Sequence, residues 1–292
     1  MSRVSGTVPG GSAPEVSPRS VLFYPGHRRH MLDGALDSGA DAVCLDLEDA
    51  VPPGEKEAAR EAARSALERV GAGGVEFWVR INAPAGDQGR GDLDALAGAA
   101  GAPAAVVVPG ADSAAELGRV AERTSAPVVA LVESPRGLAA AEEMARDAPS
   151  LGALALGPVD LSTQLGCDLA WEPLLYARSR LVHAAALGGV PVLDGPYTDL
   201  SDADGLVREA RAARSLGFDG KLALHPRQVD PVNRAFTPGE DEVAEARRIV
   251  AAYEENGGEA VRVGGRMVDR PVAEAARRLL RRARRAGEAG GG

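Results

Sequence analysis

Aromatic residues make up only 3% of this 292-residue chain, so any core it builds must be aliphatic. Cysteine is equally scarce. Cys44 and Cys167 have neither CxxC nor metal-ligand spacing, which suggests a reducing compartment with idle thiols. Basic charge is in deficit: the net charge of -9 argues against a nucleic-acid partner, because gripping a phosphate backbone requires a basic face. The exception is an Arg-rich run from Arg277 to Arg285, whose Leu and Ala residues recur at helical spacing and read as an amphipathic terminal helix with a solvated basic face. No apolar run reaches the roughly 18 residues needed to span a bilayer, and the N-terminus lacks an apolar export segment. A cytoplasmic protein without a membrane partner is expected. No GxGxxG fingerprint follows the first strand, which speaks against a dinucleotide fold.

What the chain does contain is a 45% hydrophobic content arranged in a repeating pattern: a short apolar strand, a turn, then an Ala-rich segment with apolar residues at helical spacing. Strands are expected near Ser20–Tyr24, Ala42–Asp46, Phe77–Ile81, Ala104–Val108, Val128–Glu133, Ala153–Gly157, Pro191–Asp194 and Gly220–Leu224. Eight strands alternating with helices predict an α/β fold, a closed (β/α)8 TIM barrel over residues 19–238. Residues 1–18, rich in Gly, Ser and Pro, read as a disordered tail. Residues 239–286 read as a C-terminal lobe: a helix over about Glu240–Glu255, a hairpin turning at Gly264 and Gly265, and the terminal helix. A short mobile tail, 287–292, closes the chain.

The stretch from Val128 to Ser162 holds the most chemistry. Two apolar strands end at acids, Glu133 and Asp160, with one helical segment between them, so the strands should be parallel neighbours. Neighbouring strands lie about 4.8 Å apart, close enough for two carboxylates to share one small hard cation. Mg²⁺ suits such a pair, since it takes oxygen ligands and leaves several positions to water and substrate. The same two acids could instead be a strand-end cap and a helix N-cap. Chemistry in such barrels sits at the C-terminal strand ends. There the chain places Pro25-Gly26-His27-Arg28, Asp46-Leu47-Glu48-Asp49, Arg80-Ile81-Asn82, Pro109, Glu133-Ser134-Pro135, Asp160, Asp194 and His225-Pro226. With Arg80 beside Glu133 and Asp160, the rim offers a metal and a planar fork, suited to a substrate carrying a carboxylate beside an oxygen.

The segments RSVLFYPG, DLEDAV, VRIN, ESPRG, GPVDLS, FDGKLALHPRQ and GRMVDRPV, in this order and spacing, resemble the aldolase/citrate lyase β-subunit family, which includes malyl-CoA and citramalyl-CoA lyases. The likeness runs from about Arg19 to Arg285. It implies a Mg²⁺-binding (β/α)8 barrel, assembled as a homotrimer or hexamer, that makes or breaks a carbon–carbon bond between a 2-oxo acid and an acyl thioester such as acyl-CoA. Carried over, Glu133 and Asp160 match the metal ligands, and Arg80 matches the arginine that holds the oxo-acid carboxylate. Phe23 and Arg28 match substrate contacts after the first strand, and His225 and Pro226 stand at the substrate side of the eighth. Glu48 matches a proton-relay or supporting acid. Asp269 matches an acid that reaches a neighbouring subunit's site, although an Asp before Arg-Pro is also a good N-cap. One departure is Gly34, where many CoA-using members carry a lysine. Arg28, Arg29 or His30 could substitute for it, within a basic cluster that begins at His27 and could also be an exposed helix start.

The implied mechanism has Mg²⁺ on Glu133 and Asp160, a base (Asp269 first, Glu48 second) taking a hydroxyl proton, and Arg80 offsetting charge on the oxygens. A Schiff-base aldolase is disfavoured. The only lysines are Lys56, at an exposed-looking helix start, and Lys221, early in the eighth strand and read as a structural ion-pair partner. Three alternatives stand beside the lyase: a CoA-independent metal-dependent aldolase, a β-hydroxyacyl-CoA thioesterase and a non-catalytic metabolite-binding subunit.

Overall fold

The computed structural model describes residues 17–70 and 75–289, so the expected N-terminal tail, apart from its last two residues, lies outside them. Eight parallel strands close into a barrel in sequence order. They are β1 (Ser20–Pro25), β2 (Ala42–Asp46), β3 (Glu76–Arg80), β4 (Ala105–Val108), β5 (Val128–Val132), β6 (Leu151–Leu156), β7 (Val192–Asp194) and β8 (Gly220–Ala223). Closure comes from β8 pairing with β1, Ser20 opposite Lys221 and Leu22 opposite Ala223. Between the strands run α1 (Met31–Leu36), α2 (Lys56–Arg69), α3 (Asp87–Ala97), α4 (Ala114–Thr124), α5 (Pro135–Asp147), α6 (Pro158–Leu165), α7 (Leu175–Gly188) and α8 (Ala203–Leu216), and α9 (Pro226–Phe236) follows β8.

Local chemistry starts and orients these helices. Ser134 caps α5 by accepting from Gly137 N at 2.9 Å, with Pro135 at the first position, where no N–H is required. The helix then buries Leu138, Ala141, Met144 and Ala145, the stripe that a 3.6-residue period turns to the sheet. Asp202 caps α8 in the same way, through Gly205 N at 2.8 Å.

Inside the barrel the strands contribute every second residue. Val21, Ala42, Cys44, Trp78, Ala105, Val107, Val129, Leu131, Ala153, Ala155, Leu193 and Leu222 form one apolar cluster. Trp78 is the large filler among small neighbours, and its Nε1 donates to Glu76 Oε2 at 2.8 Å. Truncating such a residue costs about 3–5 kcal/mol. Near the barrel's N-terminal end, Arg19 grips Asp41 through Nε and Nη2 at 2.8 and 2.7 Å.

The compact units divide after Val232, six residues before the expected boundary. In the second unit, α10 (Glu240–Glu255), the antiparallel hairpin β9 (Val261–Val263) and β10 (Arg266–Val268), and α11 (Arg270–Ala289) enclose a small core of Tyr253, Val268 and Ala273. The hairpin turns at Gly264 and Gly265, both at positive φ as a tight two-residue turn requires. The expected mobile tail over 287–292 begins too early, because α11 continues through Ala289; the last three residues lie outside those described. Among the described residues no helix is long and apolar enough to cross a membrane.

Candidate active site

The alternation that fills the barrel also builds its mouth. One step of two beyond the last apolar interior residue brings β2 to Asp46, β3 to Arg80, β5 to Glu133 and β8 to Leu224. All four line a cavity of about 380 Å³, together with Phe23, Asp49 and Asp160. Floor and mouth are thus one pattern, apolar below and charged above.

Glu133 follows β5 directly. Its Oε1 accepts Gly110 N at 2.7 Å. Its other oxygen has space only because residue 157 is glycine: a Cβ there would stand 2.5 Å from Glu133 Cβ and 2.7 Å from Oε2. Asp160 lies in the first turn of α6, whose N-cap is Gly157, so the capping role open to Asp160 in the sequence is not the one it takes. The Glu133 carboxyl is pushed up to about 7, first by burial, then by the negative charge of Glu48 and also of Asp160, against the Gly110 hydrogen bond and Arg80. Among the described residues no group of three or more His, Cys, Asp or Glu is placed to hold a metal. The donors at this mouth are two hard carboxylates on one cavity, one of them carrying a charge that burial disfavours. They fit a cation such as Mg²⁺, which needs one or two carboxylates and completes its shell with water and substrate.

Arg80 is the hub of the other half. Its Nε and Nη2 each donate to Asp46 at 2.7 Å, and its guanidinium carbon lies 5.5 Å from the centre of the Phe23 ring. Burial works against its charge, but the Asp46 hydrogen bonds and the surrounding acids outweigh it and hold the guanidinium protonated. Asp46 also accepts Glu48 N at 2.9 Å and Ala50 N at 3.1 Å, so its carboxylate is saturated and serves as an anchor. Nη1 approaches Glu48 Oε2 at 2.7 Å, yet no N–H is aligned with that oxygen, which is left without a hydrogen bond. Of five guanidinium N–H groups, those on Nη1 and one on Nη2 make no hydrogen bond among the described residues. Glu48 itself is not on the cavity wall; its carboxyl is pushed up to about 7, mainly by burial, with Asp49 and Asp46 adding to the rise and Arg80 opposing it.

Other expected site residues stand elsewhere. Arg28 is exposed and outside the cavity wall, its backbone occupied in the turn after β1. His225 and Pro226 are also absent from the wall. β8 ends at Ala223 and Leu224 takes the rim position, while His225 accepts Arg227 N on Nδ1 at 3.1 Å and starts α9. Asp269 lies in the second unit, where Oδ1 accepts Val272 N at 3.4 Å as the N-cap of α11. Asp194 faces away from the mouth: Leu193 points inward, so Asp194 points outward, fully buried against Arg178 and Lys221. Lys56 is no free surface lysine, because its Nζ donates to Leu47 O, Glu48 O and Asn82 Oδ1. Gly34 has open space around it, so packing does not require glycine there. What the sequence concealed is the anchoring by Asp46 and the room at Gly157. The pairing of Asp46 with Arg80 was recoverable from their positions at the ends of adjacent strands, where they are register partners.

Charged side chains gathered at the C-terminal mouth of a closed eight-strand parallel barrel are the arrangement of a TIM-barrel enzyme's active site. Comparison with known proteins is consistent with that class and narrows it. The chain belongs to the HpcH/HpaI aldolase/citrate lyase family, which residues 19–226 match, while residues 177–287 also match a C–C bond lyase family of the TIM-barrel fold. It is 39% identical over 270 residues to a citrate lyase subunit beta-like protein of Mycobacterium tuberculosis, covering 90% of this chain and 94% of that protein. A (3S)-malyl-CoA thioesterase of Cereibacter sphaeroides is 35% identical over 278 residues, 91% of this chain and 94% of the other. Among solved structures, M. tuberculosis CitE in complex with magnesium, acetoacetate and coenzyme A superposes with a TM-score of 0.79 at 36% identity, covering 92% of this chain and 99% of that one.

Proposed function

We propose that this protein is a Mg²⁺-dependent carbon–carbon lyase that cleaves, or in reverse forms, a β-hydroxyacyl thioester of the malyl-CoA or citramalyl-CoA type, giving a 2-oxo acid and an acyl thioester. The observation that carries the reading is the meeting of Glu133 and Asp160 with Arg80 on one cavity wall. Glu133 and Asp160 would hold the metal, which when bound supplies Lewis-acid polarisation of the substrate oxygens. Arg80, locked on Asp46, receives the oxo-acid carboxylate on its remaining N–H groups and offsets charge that develops beside it. Phe23 lines the same cavity, with its ring centre 5.5 Å from the Arg80 guanidinium carbon. Glu48 lies behind the cavity wall against Arg80, and its carboxyl, near 7, is matched to relay the substrate hydroxyl proton near neutral pH. Asp269 is the second candidate for that transfer, acting in a neighbouring copy of the chain. The resemblance to the family supports a homotrimer or hexamer, which light scattering tests, and the two free cysteines support a cytoplasmic location.

A second reading is hydrolysis of the same thioester, favoured by the likeness to the (3S)-malyl-CoA thioesterase. One assay separates the two. Malyl-CoA and citramalyl-CoA are supplied with Mg²⁺, and either oxo acid plus acyl-CoA, or hydroxy acid plus free CoA, is measured. Oxo acid is expected. Glu133→Ala and Asp160→Ala should each lower Mg²⁺-dependent turnover by about 10²-fold or more with the fold intact. Retention of activity in either would overturn the ligand assignment.

A further inference from the structure

Four ionisable side chains meet outside the barrel wall, behind β7 and β8 and against α7 and α8. Lys221 and Asp194 are fully buried, Arg178 is 2% exposed and Glu209 15%. Two cations face two anions, so the group is neutral as a whole. Lys221 uses all three of its donors, on Asp194 Oδ2 at 2.6 Å, Glu209 Oε1 at 2.8 Å and the backbone oxygen of Gly195 at 2.6 Å. Arg178 donates to Asp194 Oδ1 at 2.9 Å and stacks 4.5 Å over Trp171.

The Gly195 bond leads toward the mouth. β7 is three residues long and meets each neighbour through two register pairs, so the sheet ladder gives no hold on residue 195. Yet Gly195 is packed tightly: a Cβ there would stand 2.2 Å from Pro158 Cδ and 2.7 Å from Leu156 O. Pro158 begins α6, the helix carrying Asp160, and Gly157 before it is packed as closely on Glu133. An unbroken series of contacts therefore runs from the Lys221 ammonium through Gly195 and Pro158 to both carboxylates.

We propose that Lys221 is a positioning residue for the metal site: by holding the Gly195 carbonyl it fixes the seat of Pro158 and so the placement of Asp160 against Glu133. This rests on the reading of those two acids as Mg²⁺ ligands. A purely structural lysine would support folding and leave metal affinity alone.

The test is metal binding by the full chain, with Mn²⁺ as a paramagnetic probe and Mg²⁺ by calorimetry. Wild type is compared with Lys221→Met, which removes the donors, and with Gly195→Ala, which keeps all four charges and presses on Pro158 and on the Leu156 carbonyl before it. Circular dichroism shows that each variant is folded at the measuring temperature. Each variant is expected to bind Mn²⁺ and Mg²⁺ about tenfold or more weakly, as for groups that orient metal ligands. Affinity within twofold of wild type in either variant overturns the proposal; should Lys221→Met fail to fold, Gly195→Ala decides it. Glu133→Ala and Asp160→Ala are titrated alongside. If they bind as wild type does, or if wild type binds no metal, the ligand reading falls and the proposal with it. If they lose binding while the other two keep it, the proposal alone falls.

Discussion

The loops after β2 and after β7 are held in the same way and serve opposite ends. Only two of the chain's 33 basic residues are lysines, and each fastens one of these loops. Lys56 Nζ donates to Leu47 O and Glu48 O at 2.7 Å and Asn82 Oδ1 at 2.8 Å, while Lys221 Nζ donates to Asp194, Gly195 and Glu209. Three diverging acceptors suit a tetrahedral ammonium and not the planar fork of arginine. The partners differ, however. Lys221 meets two carboxylates, whereas Lys56 meets neutral oxygens, one of them on Asn82, which is itself held by Asp92 accepting from its N and Nδ2 at 2.7 and 2.6 Å. The acids follow suit. Burial disfavours the charge of Asp194, but Lys221 and Arg178 outweigh it and hold that carboxyl below its usual range, while Glu48 is pushed up to about 7. A carboxylate matched with cations is scaffolding; one left partly unmatched is available for proton transfer.

The largest effect that could break this contrast is on stability. Lys221→Met leaves the buried Asp194 and the partly buried Glu209 with Arg178 alone and should lower unfolding stability by about 3–5 kcal/mol in urea titrations. Next, Asp46→Asn removes the charge that fixes Arg80 and turns an NH2 toward two of its four donors, so kcat/KM should fall by about 10²–10³-fold with a moderate loss of stability. A large loss of stability and unaltered kinetics would make Asp46 a core residue only. Lys56→Met strands neutral carbonyls rather than charges, so about 1–3 kcal/mol is expected, with kcat lowered 10- to 100-fold as the Glu48 loop loosens, by about the loss an ångström of misplacement brings. Costs equal to those of Lys221→Met would erase the distinction.

The smallest effect is a response to pH of opposite sign on the two sides. Between about 4.5 and 7, folded Glu48 and Glu133 keep protons that the unfolded chain has released, so their contribution is complete below about 4.5 and fades as pH rises through 7. Asp194, held low, contributes above its unfolded value of 3.8 and loses that contribution only as pH falls through its lower folded value. Hydrogen exchange at the amides of Glu48 and Ala50 should therefore quicken from pH 5 to 8 after correction for intrinsic rates, and Mg²⁺ should suppress the change. Amides around Asp194 should stay protected across that range.

Much of this could be read in the chain before folding was considered. The eight strands announce themselves because each is a short aliphatic run between turns, and β2 begins and ends at the expected residues, Ala42 and Asp46. That Glu133, Asp160 and Arg80 would meet at one mouth was legible because a barrel brings its C-terminal strand ends together. Asp194 was misread for want of parity: it stands at a strand end, but its in-step neighbour Leu193 takes the inward face. Lys56 was hidden for a different reason, since two of its partners are backbone carbonyls, which every residue possesses and no letter displays. The mouth likewise depends on Gly157, and a residue that matters by having no side chain shows its purpose only when Glu133 lies against it.

The two lysine clamps also give the molecule an unusual surface chemistry. With every N–H of both ε-ammonium groups donated, the described part of the fold offers acylating reagents no unengaged side-chain amine. Modification of Lys56 or Lys221 then requires its own loop to open. Two sites in two different peptides, separable by mass, make the native chain a pair of built-in reporters of when each side of the barrel mouth comes apart.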